Sequence, residues 1–400
     1  METIAIVGAG QAGAALAARL RLKGHDGPII VYGAESAPPY QRPPLSKKYL
    51  SGEWEAERLW LRAPDFWSAH DIDLRLGQPV TMIDPELGHL VWGGELQDWD
   101  KLALTTGTAP RPLLPGLAGR ENVYELRSIA DVDRLRPAFR AGQRLVIAGG
   151  GYVGLETAAV AATAGLTVTV IERAPRILER VACAETADHV RALHKDHGVT
   201  ILEGRSIVST RGASAIEEVE LDDGSRIACD LIVAGVGVLP QTELAELVGI
   251  RCDNGIVVDA FGRTSAPRIW AAGDCACFDL DGKPTRLESV QNAIDQAEAV
   301  ADDMLGDGRP YHPVPWFWSD QYDVKLQIVG LNRGYDTVVS AVSARGRSNW
   351  YFGEGRLLAV DALNDGRAYM AAKKLLDAGL TVEIAQVQAA DFNPMNLLKG

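Results

Sequence analysis

Gly149, Gly151 and Gly154 follow the apolar run 145–148 at the spacing of a turn over which a phosphate can approach the backbone. One glycine makes the tight turn, one lets the backbone near a pyrophosphate, and one lets helix and strand touch. Small residues continue to Gly165, and a second apolar run, 167–171, leads to Glu172. Strand, glycine turn, helix, strand and acid together make a dinucleotide-binding unit. Unpaired N–H groups at the helix start favour phosphate, and Glu172 is placed to accept hydrogen bonds from both hydroxyls of an adenosine ribose. A 2′-phosphate there would meet like charge, which favours NADH over NADPH, a preference that the adjacent Arg173 softens.

The chain opens with the same device. Residues 4–7 precede Gly8, Gly10 and Gly13, a helical run extends to about Leu22, and a strand over 29–32 leads to Glu35. Two dinucleotide sites in one chain point to a flavin beside a nicotinamide. The stretch 36–50 is too rich in proline for a regular element and reads as an ordered loop. Within it Arg42, Ser46 and Lys47 stand out, and an arginine close to a glycine turn suits a pyrophosphate. Residues 102–104 run into Thr105, Thr106 and Gly107 and then a proline stop at Pro110 and Pro112. Residues 231–237, with Gly235 and Gly237, repeat that ending. This echo implies two related folds, the second inserted in the first. Asp274, after Gly273, is placed for a ribityl hydroxyl. The alanine-rich helix over 289–303 starts near Val290, where its positive end would face the flavin pyrimidine edge and stabilise the anionic reduced ring.

These elements need a frame that 400 residues can supply, and the 47% hydrophobic and 23% charged fractions are those of an ordinary soluble protein. A net charge of −13 argues against nucleic acid or an anionic membrane as partner. The first strand begins almost at once, with no leader-like or membrane-length run, so a cytoplasmic setting is expected. Cys183, Cys229, Cys252, Cys275 and Cys277 form no zinc, cluster or bridge spacing, and no metal is expected. His189, His194 and His197 read as solvated positions on a helix.

Residues 54–77 read as helical and irregular, and 78–104 as short antiparallel strands turning at Asp84-Pro85 and Gly93-Gly94. Segment 124–140 holds Arg127 before a helical run, 180–198 reads as a helix, and 200–230 as a meander turning at 222–224. Toward the end, 316–318, 325–329, 337–343 and 357–362 look like antiparallel strands, and 367–378 like an amphipathic helix. The division expected is a discontinuous FAD-binding domain over 1–112 and 240–312, an NADH-binding domain over 113–239, and a C-terminal α+β domain over 313–400.

The glycine motifs, Tyr40-Gln41-Arg42-Pro43-Pro44-Leu45-Ser46-Lys47, Gly273-Asp274 and Pro315-Trp316-Phe317-Trp318-Ser319-Asp320-Gln321 together resemble the ferredoxin reductases of oxygenase systems. The likeness covers essentially the whole chain, and the proline loop and the tryptophan segment are its specific parts. It implies an α/β architecture of two Rossmann-like, glutathione-reductase-like domains plus the C-terminal domain. It implies, too, an NADH-dependent FAD enzyme reducing a two-iron, two-sulfur ferredoxin. By the likeness, Arg42, Lys47, Arg127, Asp274 and Trp318 contact FAD, while Glu156, Glu172 and the second glycine turn handle NADH.

On that basis, hydride passes from nicotinamide to flavin over about 3 to 3.5 Å, with Lys47 and Glu156 paired beside the site and Trp318 at the ferredoxin entry. The first cysteine is Cys183, so no early thiol pair stands ready to relay electrons. An acidic, transient ferredoxin would dock on local positive charge, for which Arg309, Lys325, Arg333, Lys373 and Lys374 are candidates. The expected state is a monomer or weak dimer. The alternatives are an NADH oxidase or peroxide-reducing flavoenzyme, and an NADH-sensing, redox-switched binding protein.

Overall fold

The computed structural model describes residues 1–111, 116–344, 346–389 and 391–398, and the domain boundary expected between 112 and 113 lies outside them. Two compact units result: one from 1–42, 56–109 and 238–313, the other from 43–55, 110–237 and 314–400.

In the first unit a five-stranded parallel sheet runs in the order Ile269–Ala271, Lys101–Leu104, Ile4–Val7, Ile29–Tyr32, Ile72–Arg75. The strand before the glycine turn is central, and all four of its residues are buried. Such near-continuous apolar runs are what a sheet covered on both faces requires. Helix Gln11–Leu22 buries Leu16 and Leu20 in one core cluster with Val300 and Met304 of helix Val290–Met304. Each such leucine contributes about 1.5–3 kcal/mol of burial. Arg19 grips Asp302 through Nη2 at 2.7 Å, which fixes one helix against the other.

The second unit repeats the plan strand for strand. Its parallel sheet runs Thr200–Glu203, Thr167–Glu172, Arg144–Ala148, Leu231–Ala234, Val123–Glu125. Each parallel sheet is accompanied by a three-stranded antiparallel meander, which lies in the chain between Ile72–Arg75 and Lys101–Leu104 in the first unit and between Thr200–Glu203 and Leu231–Ala234 in the second. These are Val80–Asp84, His89–Trp92 and Glu95–Asp98 in the first unit, and Ile207–Arg211, Glu218–Leu221 and Arg226–Ala228 in the second. The echo between residues 102–107 and 231–237 is therefore a structural repeat.

The second unit also holds an antiparallel sheet in the order Trp316–Gln321, Val324–Gly330, Arg356–Leu363, Arg347–Gly353, Thr337–Val342. Val329, Val360 and Ala362 on this sheet share a core cluster with Ala368, Ala372 and Leu375 of helix Gly366–Asp377.

Four local readings are corrected. Segment 54–77 contains the strand Ile72–Arg75, whose Asp73 is exposed as an edge strand allows. Lys101–Leu104 and Thr200–Glu203 join parallel sheets, not the meanders beside them. Arg347–Gly353 is an additional strand, hidden in the sequence because Ser348 to Gly353 are all buried and no polar alternation marks it. His194 is fully buried, whereas His197 is exposed as expected. Among the described residues no helix is long and apolar enough to cross a membrane.

Candidate functional site

Sterics explain the first glycine turn. Gly8 has φ +117°, and a Cβ on it would lie 2.2 Å from the Thr105 carbonyl oxygen. A Cβ on Gly13 would lie 2.0 Å from the Gly8 oxygen, so helix and strand touch there. Gly10, by contrast, has nothing within 4 Å of that position. It is also the N-cap of helix Gln11–Leu22 and supplies no side-chain cap to the first N–H groups of that helix. That is the cradle a pyrophosphate fills. Thr105 holds the turn by donating from Oγ1 to the Gly8 oxygen at 2.9 Å. Its role is not marked by any motif, but its place right after the closing strand is a usable signal.

Around this turn the expected polar groups converge. Arg42 donates from Nη2 to Glu35 Oε1 at 2.6 Å, and Tyr40 donates its hydroxyl proton to Glu35 Oε2 at 2.6 Å. Burial opposes the Arg42 charge, but Tyr40, Glu35 and Asp274 outweigh it and raise the guanidinium pKa. Glu35, three residues beyond strand Ile29–Tyr32, therefore anchors the arginine. Gly273 has φ +81° and donates its N–H to Gln296 Oε1 at 2.8 Å, which sets the backbone that presents Asp274. Ser289 caps helix Val290–Met304, its Oγ accepting from Asn292 N at 3.1 Å, so Val290 opens the helix. Thr106 donates to the Gln241 oxygen at 2.6 Å, and Gly107 accepts from the Gln241 N–H at 3.0 Å.

The second turn, in the other unit, is built alike. A Cβ on Gly149 would meet the Gly235 oxygen at 2.3 Å, one on Gly154 the Gly149 oxygen at 2.1 Å, and one on Gly151 nothing within 4 Å. Gly235 donates its N–H to the Ala148 oxygen at 2.8 Å, and Gly237, at φ +93°, accepts from the Arg111 N–H at 3.0 Å. Glu172 is drawn back over its own turn: Oε2 accepts from the Gly150 N–H at 2.6 Å and Oε1 from the Ala174 N–H at 2.7 Å. Its carboxylate is thus preset in one orientation. Both turns fit dinucleotides, because Gly10 and Gly151 leave open, before a helix N-terminus, the space that a side chain would otherwise fill.

Glu156 lies on helix Tyr152–Thr163, one turn beyond the second cradle, and is 4% exposed. Its Oε2 accepts from Lys47 Nζ at 2.7 Å and from the Ser46 hydroxyl; its Oε1 accepts from Ser319 Oγ at 2.7 Å. Ser46 and Ser319 escaped the sequence reading as ligands of Glu156. For Ser319 the available signal was strand alternation, which turns it to the face opposite Trp318. Phe317 packs into the cluster that holds Leu155 and Ile328, on the Ser319 side. Trp318 lies half-buried with its ring 5.6 Å from that of Trp316. Arg127 sits between strand Val123–Glu125 and helix Ile129–Leu135, its N–H donating to Asp131 Oδ2 at 3.2 Å.

Of the candidate docking cations, Lys373 is paired with Asp377 at 2.9 Å and Lys325 stands 3.8 Å from Asp320, so both charges come with acidic neighbours. The cysteines are no nearer to reactivity. Cys183, Cys229, Cys275 and Cys277 are buried and Cys252 half-buried. Burial pushes the Cys183 and Cys275 thiols up, and the Cys229 and Cys252 thiols up to about 11.

Comparison with known proteins agrees with this geometry. Residues 2–297 match the pyridine nucleotide-disulphide oxidoreductase family, and residues 316–398 match the reductase C-terminal domain. Putidaredoxin reductase of Pseudomonas putida is 38% identical over 393 residues, covering 96% of this chain and 93% of that protein. Rhodocoxin reductase of Rhodococcus erythropolis is 39% identical over 398 residues, covering 98% and 93%. The crystal structure of the covalent putidaredoxin reductase–putidaredoxin complex superposes with a TM-score of 0.96 at 37% identity, covering 100% of this chain and 98% of that one. The chain belongs to the pyridine nucleotide-disulphide oxidoreductase family, as an FAD- and NAD(P)H-dependent oxidoreductase akin to the ferredoxin reductases.

Proposed function

We propose that the protein takes electrons in pairs from NADH and hands them singly to a two-iron, two-sulfur ferredoxin that feeds an oxygenase. When bound, FAD supplies the two-electron store that lets a donor of pairs serve an acceptor of single electrons. The observation that carries this reading is the presence of two glycine cradles alongside thiols that burial pushes up at Cys183, Cys229, Cys252 and Cys275. A thiol at pKa about 11 is almost wholly protonated at pH 7, which makes Cys229 and Cys252 poor electron relays.

Within the first unit, Gly8, Gly10 and Gly13 take the FAD pyrophosphate, Glu35 and Arg42 the nucleotide end, and Thr106, Gly107, Gly273, Asp274 and Val290 the remainder. Lys47, Arg127 and Trp318 are assigned to the flavin by family likeness. Gly149, Gly151 and Gly154 take the NADH pyrophosphate, Glu172 its ribose, and Gly235 and Gly237 line the same end of the sheet. Glu172 gives the preference for NADH, since a 2′-phosphate would stand against its carboxylate. Glu156 orients the nicotinamide end, and Lys47 offers positive charge where electron density accumulates. The domain division drawn from the sequence, 1–112 with 240–312, 113–239 and 313–400, goes with these roles.

The ferredoxin partner is acidic and transiently bound, steered by cations such as Arg309, Arg333 and Lys374. Turnover with a panel of two-iron ferredoxins, each pyridine nucleotide supplied separately, tests the reading. NADH-driven ferredoxin reduction that falls steeply with salt, while reduction of a small neutral dye holds steady, is the expected result. Rapid oxygen uptake without any ferredoxin reduction contradicts it.

A further inference from the structure

We propose that Ser319, Gln321 and His194 form a one-way chain of hydrogen-bond donors ending on Glu156, so that the charge on this carboxylate fixes which His194 nitrogen carries the proton. Ser319 and Gln321 sit two apart on strand Trp316–Gln321, hence on one face, and His194 comes from helix Ala184–Asp196. Ser319 Oγ is 2.7 Å from Glu156 Oε1, Gln321 Nε2 is 3.1 Å from Ser319 Oγ, and His194 Nε2 is 2.8 Å from Gln321 Oε1. All four residues are buried: Glu156 is 4% exposed, Gln321 3%, and Ser319 and His194 0%. Water does not compete for these bonds, and each one constrains the next.

The direction follows from proton counting. A carboxylate has no proton to give, so Ser319 must donate to it. Having spent its proton, the hydroxyl accepts from the Gln321 amide N–H. That orients the Gln321 carbonyl toward His194, which must then carry hydrogen on Nε2. Burial holds the imidazole below the usual histidine range, so it is neutral at pH 7 and the other nitrogen, Nδ1, is bare. At that end Tyr322 places its hydroxyl 3.5 Å from Nδ1, and a hydroxyl can donate or accept. The exposed His197 stacks on Tyr322 at 3.7 Å between ring centroids. The other groups facing Glu156 are Lys47, Ser46 and, on its own helix, Tyr152.

Neutralising Glu156 by an amide reverses the chain. Lys47 and Ser46 both donate to the Oε2 position, which must remain an oxygen in Glu156→Gln. The new NH2 then occupies the inner position and donates to Ser319. Ser319 turns to donate to Gln321, whose amide flips and donates to His194 Nε2, leaving hydrogen on Nδ1. Ser319, Gln321 and His194 are positioning residues for Glu156, and their catalytic meaning rests on the proposed part of Glu156 in the NADH step.

Long-range proton–nitrogen NMR of the full chain labelled with 15N-histidine tests this, His194 being assigned by its loss in His194→Gln. The expected result is an Nε2–H tautomer in the wild type and an Nδ1–H tautomer in Glu156→Gln. Gln321→Leu, which cuts the chain at its middle, should abolish the single-tautomer signature and covers the case in which Glu156→Gln does not fold. A wild-type mixture of tautomers, or an unchanged His194 in Glu156→Gln, overturns the chain. Flavin bleaching by NADH at the wild-type rate in Glu156→Gln overturns the catalytic reading instead and leaves the tautomer result standing.

Discussion

Glu156 Oε2 and Lys47 Nζ lie 2.7 Å apart, although 109 positions separate them in sequence. Their side chains are 5% and 17% exposed, so the attraction is little weakened by solvent. Lys47→Ala should slow NADH-driven bleaching of the bound flavin by about 10²-fold, the order expected for removing one preorganised electrostatic contact. FAD retention should change much less. Stopped-flow absorbance with a parallel FAD dissociation assay measures both, and an unchanged bleaching rate removes the role of Lys47.

Trp318 and Ser319 are adjacent and point to opposite faces of one strand. Replacing Trp318 with alanine should therefore leave the contact of Ser319 with Glu156 intact. Electron delivery to ferredoxin or cytochrome should fall about tenfold or more, while flavin reduction by NADH stays near the wild-type rate. Measuring the two half-reactions separately decides the point. Equal losses in both would place Trp318 elsewhere in the mechanism.

Glu172 holds its own turn through Gly150 and Ala174, and its proposed part is to receive the adenosine ribose. Glu172→Ala should lower the ratio of kcat/KM for NADH over NADPH by about tenfold, consistent with losing a charged hydrogen-bond acceptor. Thermal stability should drop as well, since two backbone N–H groups lose their acceptor. A preserved ratio would show that cofactor choice is made at another residue.

Asp361 is 1% exposed, and its Oδ2 accepts from Thr186 Oγ1 at 2.7 Å and from the Tyr351 hydroxyl. Burial pushes its carboxyl up to about 7. The folded state then keeps a proton that the unfolded chain releases near pH 4, so stability is greatest below pH 4 for this group and declines as pH rises to 7. The linked change is about 4 kcal/mol across that window. Asp361→Asn should gain stability relative to the wild type as pH rises from 4 to 8. Denaturant melts giving parallel curves for the two proteins would refute the assignment.

What the sequence discloses is whatever the local backbone demands. Gly8 and Gly149 are legible because their turns leave no room for a Cβ. Strands such as Ile4–Val7 show as apolar runs because both faces are covered. The burial of His194 is not legible because its partner, Gln321, lies 127 positions away, and a histidine at helical spacing looks the same whether solvated or buried. The Lys47–Glu156 pair could not be found from spacing and came from family likeness alone. Strand Arg347–Gly353 was invisible for a different reason: buried on both faces, it keeps no period of two.

The central claim is the conversion of paired into single electrons, and anaerobic titration of the NADH-reduced protein with oxidised two-iron ferredoxin tests it most directly. The flavin colour should return completely with two equivalents of ferredoxin reduced per flavin, and NAD⁺ should be the product of the first half-reaction. A bleached protein that leaves ferredoxin oxidised and regains its colour only when air is admitted would contradict the account.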